Sequence, residues 1–359
     1  MKVCGRVVLA AAAVLAWVAA PVFAQNPAQN TAQTPAQNQA ANGPFHVEHE
    51  WKLGGDGGWD YMGVDPVSKL LYITRGDHVM VVDTNSGKQV ADITGLHGTH
   101  GVVFSSDGIH GYITDGGANQ VAEFNRKTNT IEKTIPAGTG PDGEVFDPAT
   151  KTVWAFNGRS HDATVIDTAT NTVVATVALP GKPEFPVADG QGSVYDNIED
   201  KSEIVRIDAK THTVTATWPI APCEGPSGLA IDRRHRRLFA VCDGTMAVVD
   251  ADSGKVVTSP TIGDGPDAAR FSSADQYAFS SNGGSGTITV VHEDSPDAYT
   301  VVQNLPTKRG ARTMAMDPDG SHLYTVTADF GPRPAPTPEH PRQRPPIIPG
   351  SFEVIAIGK

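Results

Sequence analysis

Seven positions in the chain, Asp60, His100, Asp142, Glu184, Ser227, Asp267 and Arg312, follow one another at intervals of 40, 42, 42, 43, 40 and 45 residues. All but Ser227 can carry charge. Carboxylates and imidazole are groups whose proton affinity burial and neighbours can move toward neutral pH, so such a set suits general acid–base work. On that reading His100, Asp142 or Glu184 is the acid or base, and Arg312 or Arg270 steadies a developing anion. The plain alternative is a solvated rim, because exposed turns are polar by default. A binding reading takes Asp60, His100, Asp142, Glu184, Asp267 and Arg312, joined by Asn157 and Asn282, as ligand contacts.

Metal chemistry has two routes. Asp60, Asp142, Glu184 and Asp267 with Asn157 offer hard oxygen ligands of the kind Ca²⁺ takes. His97 and His100, in His-Gly-Thr-His, are close enough to share one ion if Gly98 lets the backbone aim both rings. His110 and His161 are the candidate third partners of that pair, although His110 is expected on the opposite face; Asp142, Asn157 and Glu184 are the other candidate metal ligands. A surface turn is the simpler account of the two histidines. There is no Gly-x-Ser-x-Gly elbow, Walker loop, His-Glu-x-x-His or Cys-x-x-Cys-His, so no standard catalytic signature settles the reaction class.

What positions these residues is a repeat. HVMVVD (78–83), QVAEFN (120–125), DATVID (162–167), EIVRID (203–208), TMAVVD (245–250) and TITVVH (287–292) alternate apolar residues and end 42, 42, 41, 42 and 42 residues apart. A second register, ending at Asp65, Ser105, Asp147, Asp189, Asp232, Ser272 and Asp317, runs each time into an aromatic strand such as LYIT (71–74) or VWAF (153–156). Period-2 alternation in a unit of about 42 residues, punctuated by turns such as Asn85-Ser86-Gly87, predicts four short strands per repeat. No stretch keeps apolar residues three and four apart as an amphipathic helix requires. The expectation is an all-β, seven-bladed β-propeller. Its last copy lacks a fourth strand, and FHVEHEWKL (45–53) is expected to supply it, closing the ring and removing two free sheet edges. The seven polar positions then surround one mouth of a central channel.

The LYIT-to-VVD pattern, and above all DATVIDTATNTVVATVALPGKP (162–183), closely resembles the YVTN-type, YncE-like propeller repeat family over residues 45–359. The resemblance implies the propeller fold. It carries little about activity, because propellers host lyases, lactonases, dehydrogenase subunits and binding modules alike. The family's Asn position reads Arg75, Asp115, Asn157, Ile198, Cys242, Asn282 and Thr327 here, so only two copies keep it. The acidic and Asn set also resembles the calcium-dependent lactonase propellers, although those have six blades.

Residues 1–24 read as an export signal: Lys2 and Arg6, an apolar run from Val7 to Ala20, and Val22-Phe23-Ala24 as the cleavage site. Removing them changes the formal charge from −12 to −14, since two basic and no acidic residues leave. An acidic chain argues against a nucleic-acid partner. Gln25 to Gly43 has no large apolar residue to bury and reads as a flexible tether, leaving 44–359 as the propeller. No later stretch is long and apolar enough to span a bilayer, so the expected location is periplasmic or secreted. Cys223 and Cys242 are most simply one disulfide there. In the last repeat a Pro-rich insertion, 329–350, should be stiff and lie beside or across the mouth. The sequence therefore predicts an exported propeller that binds a small molecule or protein partner at a polar mouth. A propeller-type hydrolase, lactonase or lyase, and a structural module of a cell-envelope assembly, are the competing readings.

Overall fold

The computed structural model describes residues 43–335, 337 and 343–359. The export-signal and tether expectations for 1–42 lie outside these residues. Within them the chain forms seven four-stranded antiparallel sheets. The one helical element is a short 3-10 turn at Glu199–Lys201. No described helix is long and apolar enough to cross a membrane.

Each sheet is a blade in which the chain steps outward strand by strand. The inner strands are Met62–Val64, Thr99–Phe104, Pro141–Asp147, Pro183–Ala188, Leu229–Asp232, Pro266–Ser272 and Met314–Met316. Blade 7 alone is assembled from both ends of the propeller. Its outer strand is His46–Lys52, which pairs antiparallel with Glu353–Gly358. The expected closure is therefore present, and it leaves blade 7 with the same four-stranded order as the others.

The core is not one mass. Seven apolar clusters lie at the seven blade-to-blade interfaces. The cluster between blades 7 and 1 joins Met62, Leu71 and Val82 to Ala315, Val326 and Val354, so the ring is sealed by the same hydrophobic burial that joins every other pair.

Polar links set the register between blades. Tyr72 of blade 1 donates its hydroxyl to Asn129 of blade 2 at 2.9 Å, and Tyr112 of blade 2 donates to Asn171 of blade 3 at 2.6 Å. Both asparagines sit at positive φ, 55° and 52°, a conformation Asn tolerates better than most residues. In the equivalent place Trp154 of blade 3 packs edge-on against His212 of blade 4. The aromatic residue of each of these second strands thus reaches the outer turn of the next blade. Between blades 4 and 5, Cys223 and Cys242 are at disulfide distance, with Cα atoms 5.5 Å apart.

Candidate ligand site at the channel mouth

The inner strands all start at one end of the channel, and the residue five before each repeat marker lies at that start. A second set of contacts fixes these positions from the neighbouring blade. Thr74 Oγ1 donates to the His100 carbonyl at 3.0 Å, Thr114 Oγ1 to the Asp142 carbonyl at 2.6 Å, and Asn197 Nδ2 to the Ser227 carbonyl at 2.8 Å. Ser281 makes the equivalent bond to the Arg312 carbonyl. Each donor ends the aromatic motif of one second strand, and each acceptor belongs to the next blade's mouth residue. One residue further in, Gly143 and Gly228 let adjacent inner strands meet backbone to backbone. A Cβ at Gly143 would run into the Glu184 carbonyl, and one at Gly228 into the Ala269 amide.

All seven spaced residues, Asp60, His100, Asp142, Glu184, Ser227, Asp267 and Arg312, line a single cavity of about 630 Å³. Lys182, Glu199, Glu224, Asp243 and Arg344 complete its charged lining. Repeat spacing could not find these five. Lys182 and Glu199 lie in loops whose lengths vary between blades, and Arg344 comes from the Pro-rich insertion, which matches no repeat position. The insertion thus reaches the mouth through Arg344, while residues 336 and 338–342 of it lie outside those described.

The charges form three groups. His100 Nδ1 is 2.6 Å from Asp60 Oδ2 and 3.5 Å from Asp142 Oδ1. Arg312 Nε donates to Asp267 Oδ2 at 2.6 Å, and its Nη2 donates to the Trp59 carbonyl at 2.9 Å and lies 3.6 Å from Asp60. Lys182 bridges Glu184, at 3.0 Å, and Glu199. Tyr61 donates its hydroxyl to Glu184 Oε1 at 3.3 Å, and its ring packs on Phe185 at 4.8 Å. These two rings form the floor beneath the carboxylates.

Burial and crowding bias proton affinity upward. Burial is the larger reason that the Asp142 and Glu184 carboxyls hold protons well above the usual range; the charge of Asp142 raises Glu184 further, and at Asp142 the pull of His100 is opposed by the charges of Asp60 and Asp267. Burial pushes Asp267 up to about 6 despite the opposing pull of Arg312. For His100, burial favours the neutral ring, but the Asp60 hydrogen bond and the charges of Asp142, Asp60 and Glu184 outweigh it and raise its pKa. Seven carboxylates thus face three fixed cations across one cavity. The Asp60, His100 and Asp142 donor atoms also lie within 4.8 Å of one another, a spacing that one cation could bridge.

Several expected site residues stand elsewhere. His97 is not beside His100; its ring is two-thirds exposed and faces Asp115 at 3.5 Å. Gly98 packs against Gly117 of the next strand connection. Asn157 and Asn282 are not in the cavity lining. Each is buried and donates its amide within its own blade, Asn157 to Asp162 and Thr164, Asn282 to Thr287 and Thr289. They act as staples between second and third strands. Arg270 lies deeper, in a cavity at the far end of the channel, because its position is three residues further along the inner strand than the mouth register. His110 is at that far end as expected, beside Asp107, Glu123 and Glu132. A further His-carboxylate group joins Asp232 and His235 of blade 5 to Glu293 of blade 6, a cross-blade contact that leaves no mark in the linear spacing.

Comparison with known proteins adds the fold alone. No family model matches the chain, and no curated protein matches it in sequence. Among solved structures it resembles a chain of the Kuenenia stuttgartiensis hydrazine synthase, with TM-score 0.68, 16% identity, and 76% of this chain covering 94% of that one. A chain of a mitotic checkpoint complex gives 0.67 at 14% identity, with 85% and 95% covered. U3-55K gives 0.71 at 11% identity, with 87% and 98% covered. At such identities the common property is the propeller, whose members differ widely in what they do.

Proposed function

We propose that this chain is an exported ligand-binding propeller of the YVTN type, and that its channel mouth captures a small cation. The carrying observation is the concentration of seven carboxylates against three fixed cations around one cavity of about 630 Å³. Two of those cations are already committed, Arg312 to Asp267 and Lys182 to Glu184 and Glu199. Asp60, His100 and Asp142 stay together without a permanent positive charge of their own beyond the more distant Arg312, and they offer two oxygen donors and one nitrogen. An imidazole among the ligands favours Zn²⁺ or Mn²⁺ over Ca²⁺, which prefers an all-oxygen shell. The loss of Asn157 from the site removes part of the calcium set as well. Export rests on the signal-like segment, and the family assignment on the repeat pattern.

The test is calorimetric titration of the purified protein with Zn²⁺, Mn²⁺, Ca²⁺ and a diamine. Saturable binding of at least one of these is expected, weakened at least tenfold in Asp142→Asn and His100→Ala. Absence of binding by all four, or binding indifferent to both substitutions, overturns the reading. A hydrolytic or lyase reading is favoured by one feature, the Asp60–His100 bond, which orients an imidazole as general acid–base pairs require. Arg312 could then face a substrate anion, whereas Arg270 could not, since it lies in the other cavity.

A further inference from the structure

The far end of the channel holds a cavity of about 440 Å³ that differs in kind from the mouth. Phe104, Phe146 and Phe185 contribute to a largely apolar wall. Set into it are two guanidinium groups, Arg233 and Arg270, and one carboxyl, Glu144. Among the described residues no carboxylate pairs with Arg270. Its hydrogen bond runs to the carbonyl of its own neighbour, Ala269, at 2.7 Å, and its guanidinium lies over the Phe185 ring at 5.2 Å. Arg233 likewise donates only to a backbone carbonyl, that of Ala188, at 3.1 and 2.9 Å.

Glu144 is the second, independent sign of a missing partner. It is 6% exposed, and neither of its carboxyl oxygens has a hydrogen-bond partner. The Thr114 amide is near it without making a hydrogen bond of ordinary geometry. Burial pushes its pKa well up, only partly offset by that amide. A neutral carboxyl is a donor as well as an acceptor. Native proteins seldom leave a buried carboxyl unbonded, because it forfeits interactions it had in water, and the half-buried Arg270 beside it faces the cavity without an anion. A ligand bringing one negative charge and an apolar body would satisfy Arg270, accept from Glu144 and cover the phenylalanines.

We propose that this cavity is a second ligand site, taking a small monocarboxylate with an aromatic or branched apolar body. Arg270 is its anion anchor, Glu144 its hydrogen-bond donor, and Arg233 a second positive charge at the wall. One carboxylate suffices, since Arg270 stands in the wall beside a single donor, Glu144, whereas Arg233 is exposed. The site is independent of the mouth reading, so either can fail alone.

Melting and calorimetric titration of the full protein with benzoate, phenylacetate and isovalerate, each beside its neutral amide, test this. At least one acid is expected to raise the melting temperature and bind saturably, while its amide does not. Arg270→Gln should weaken that binding at least tenfold, as loss of a charge-assisted pair does, and Asp142→Asn at the mouth should leave it unchanged. Should Arg270→Gln fold poorly, Glu144→Gln and Glu144→Leu replace it. The first keeps a donor and should bind within about threefold of the parent; the second should bind at least fivefold more weakly. The proposal fails if no acid binds, if the amides bind as well as the acids, or if binding survives Arg270→Gln or Glu144→Leu unaltered.

Discussion

At the scale of single residues, the mouth is a place where charge is held under strain of desolvation. Asp267 shows the consequence for pH. Its pKa is raised to about 6, so the folded protein holds that proton more tightly than the unfolded chain, whose aspartates titrate near 3.9. The stabilisation from this proton is complete below about pH 4 and disappears as pH rises through about 6. Asp267→Asn has no such proton to lose. The melting temperature of the parent should therefore fall relative to Asp267→Asn between pH 4 and 7, and a constant difference would refute the assignment. Asp65 has the opposite sign: burial would raise it, but hydrogen bonds from Arg126, the Val67 amide and Ser68 leave it lowered, so its stabilisation is present above the unfolded value and lost in acid. The same raised carboxylates make cation binding at the mouth proton-competitive. Affinity for the cation that binds should climb between pH 5 and 8, and a flat profile would separate that binding from Asp142, Glu184 and Asp267.

At the scale of strands, the second strand of each blade serves the next blade as much as its own. Thr114 shows this best. Its hydroxyl accepts from the Gly101 amide at 2.7 Å and donates to the Asp142 carbonyl at 2.6 Å, stitching two inner strands together beneath the mouth. Thr114→Val keeps the shape and removes both bonds. It should cost about 1–3 kcal/mol, since buried backbone groups lose their partner, and chemical denaturation would measure it. Because Asp142 is displaced with its carbonyl, cation affinity should fall too. This linkage was only half legible beforehand. The aromatic-Thr motif announces a strand, but alternation cannot say that a hydroxyl crosses to the neighbouring sheet. The Asn157 and Asn282 side chains mislead in the same way: polar and repeat-aligned, they satisfy their own blade and leave the channel to others.

For the whole molecule, closure is what places seven residues separated by some 250 positions around one opening. Blade 7 takes its outer strand from His46–Lys52 and its other three from Met314–Gly358. Phe45 adds to this, packing at 5.1 Å on Phe279 and lying in the interface between blades 6 and 7. Removing residues 45–53 exposes a sheet edge and part of that core. The truncated chain should melt many degrees lower and lose mouth binding, as circular dichroism and titration would show; parent-like melting would mean that the ring does not depend on its closing strand.

Sequence alone determined the number of blades, the closing strand and the seven repeat-spaced residues of the mouth, because strand alternation and a fixed repeat length are local properties that survive as a linear pattern. The Cys223–Cys242 pairing also followed from counting. Tertiary structure alone decided which neighbours each charge meets: Asp60 with His100, Arg312 with Asp267, Lys182 between two glutamates, His97 turned away, and Arg270 dropped to the far cavity. Those outcomes depend on distances across blades and on depth along the channel, where a shift of three residues in one strand moves a side chain from one chemical environment to another.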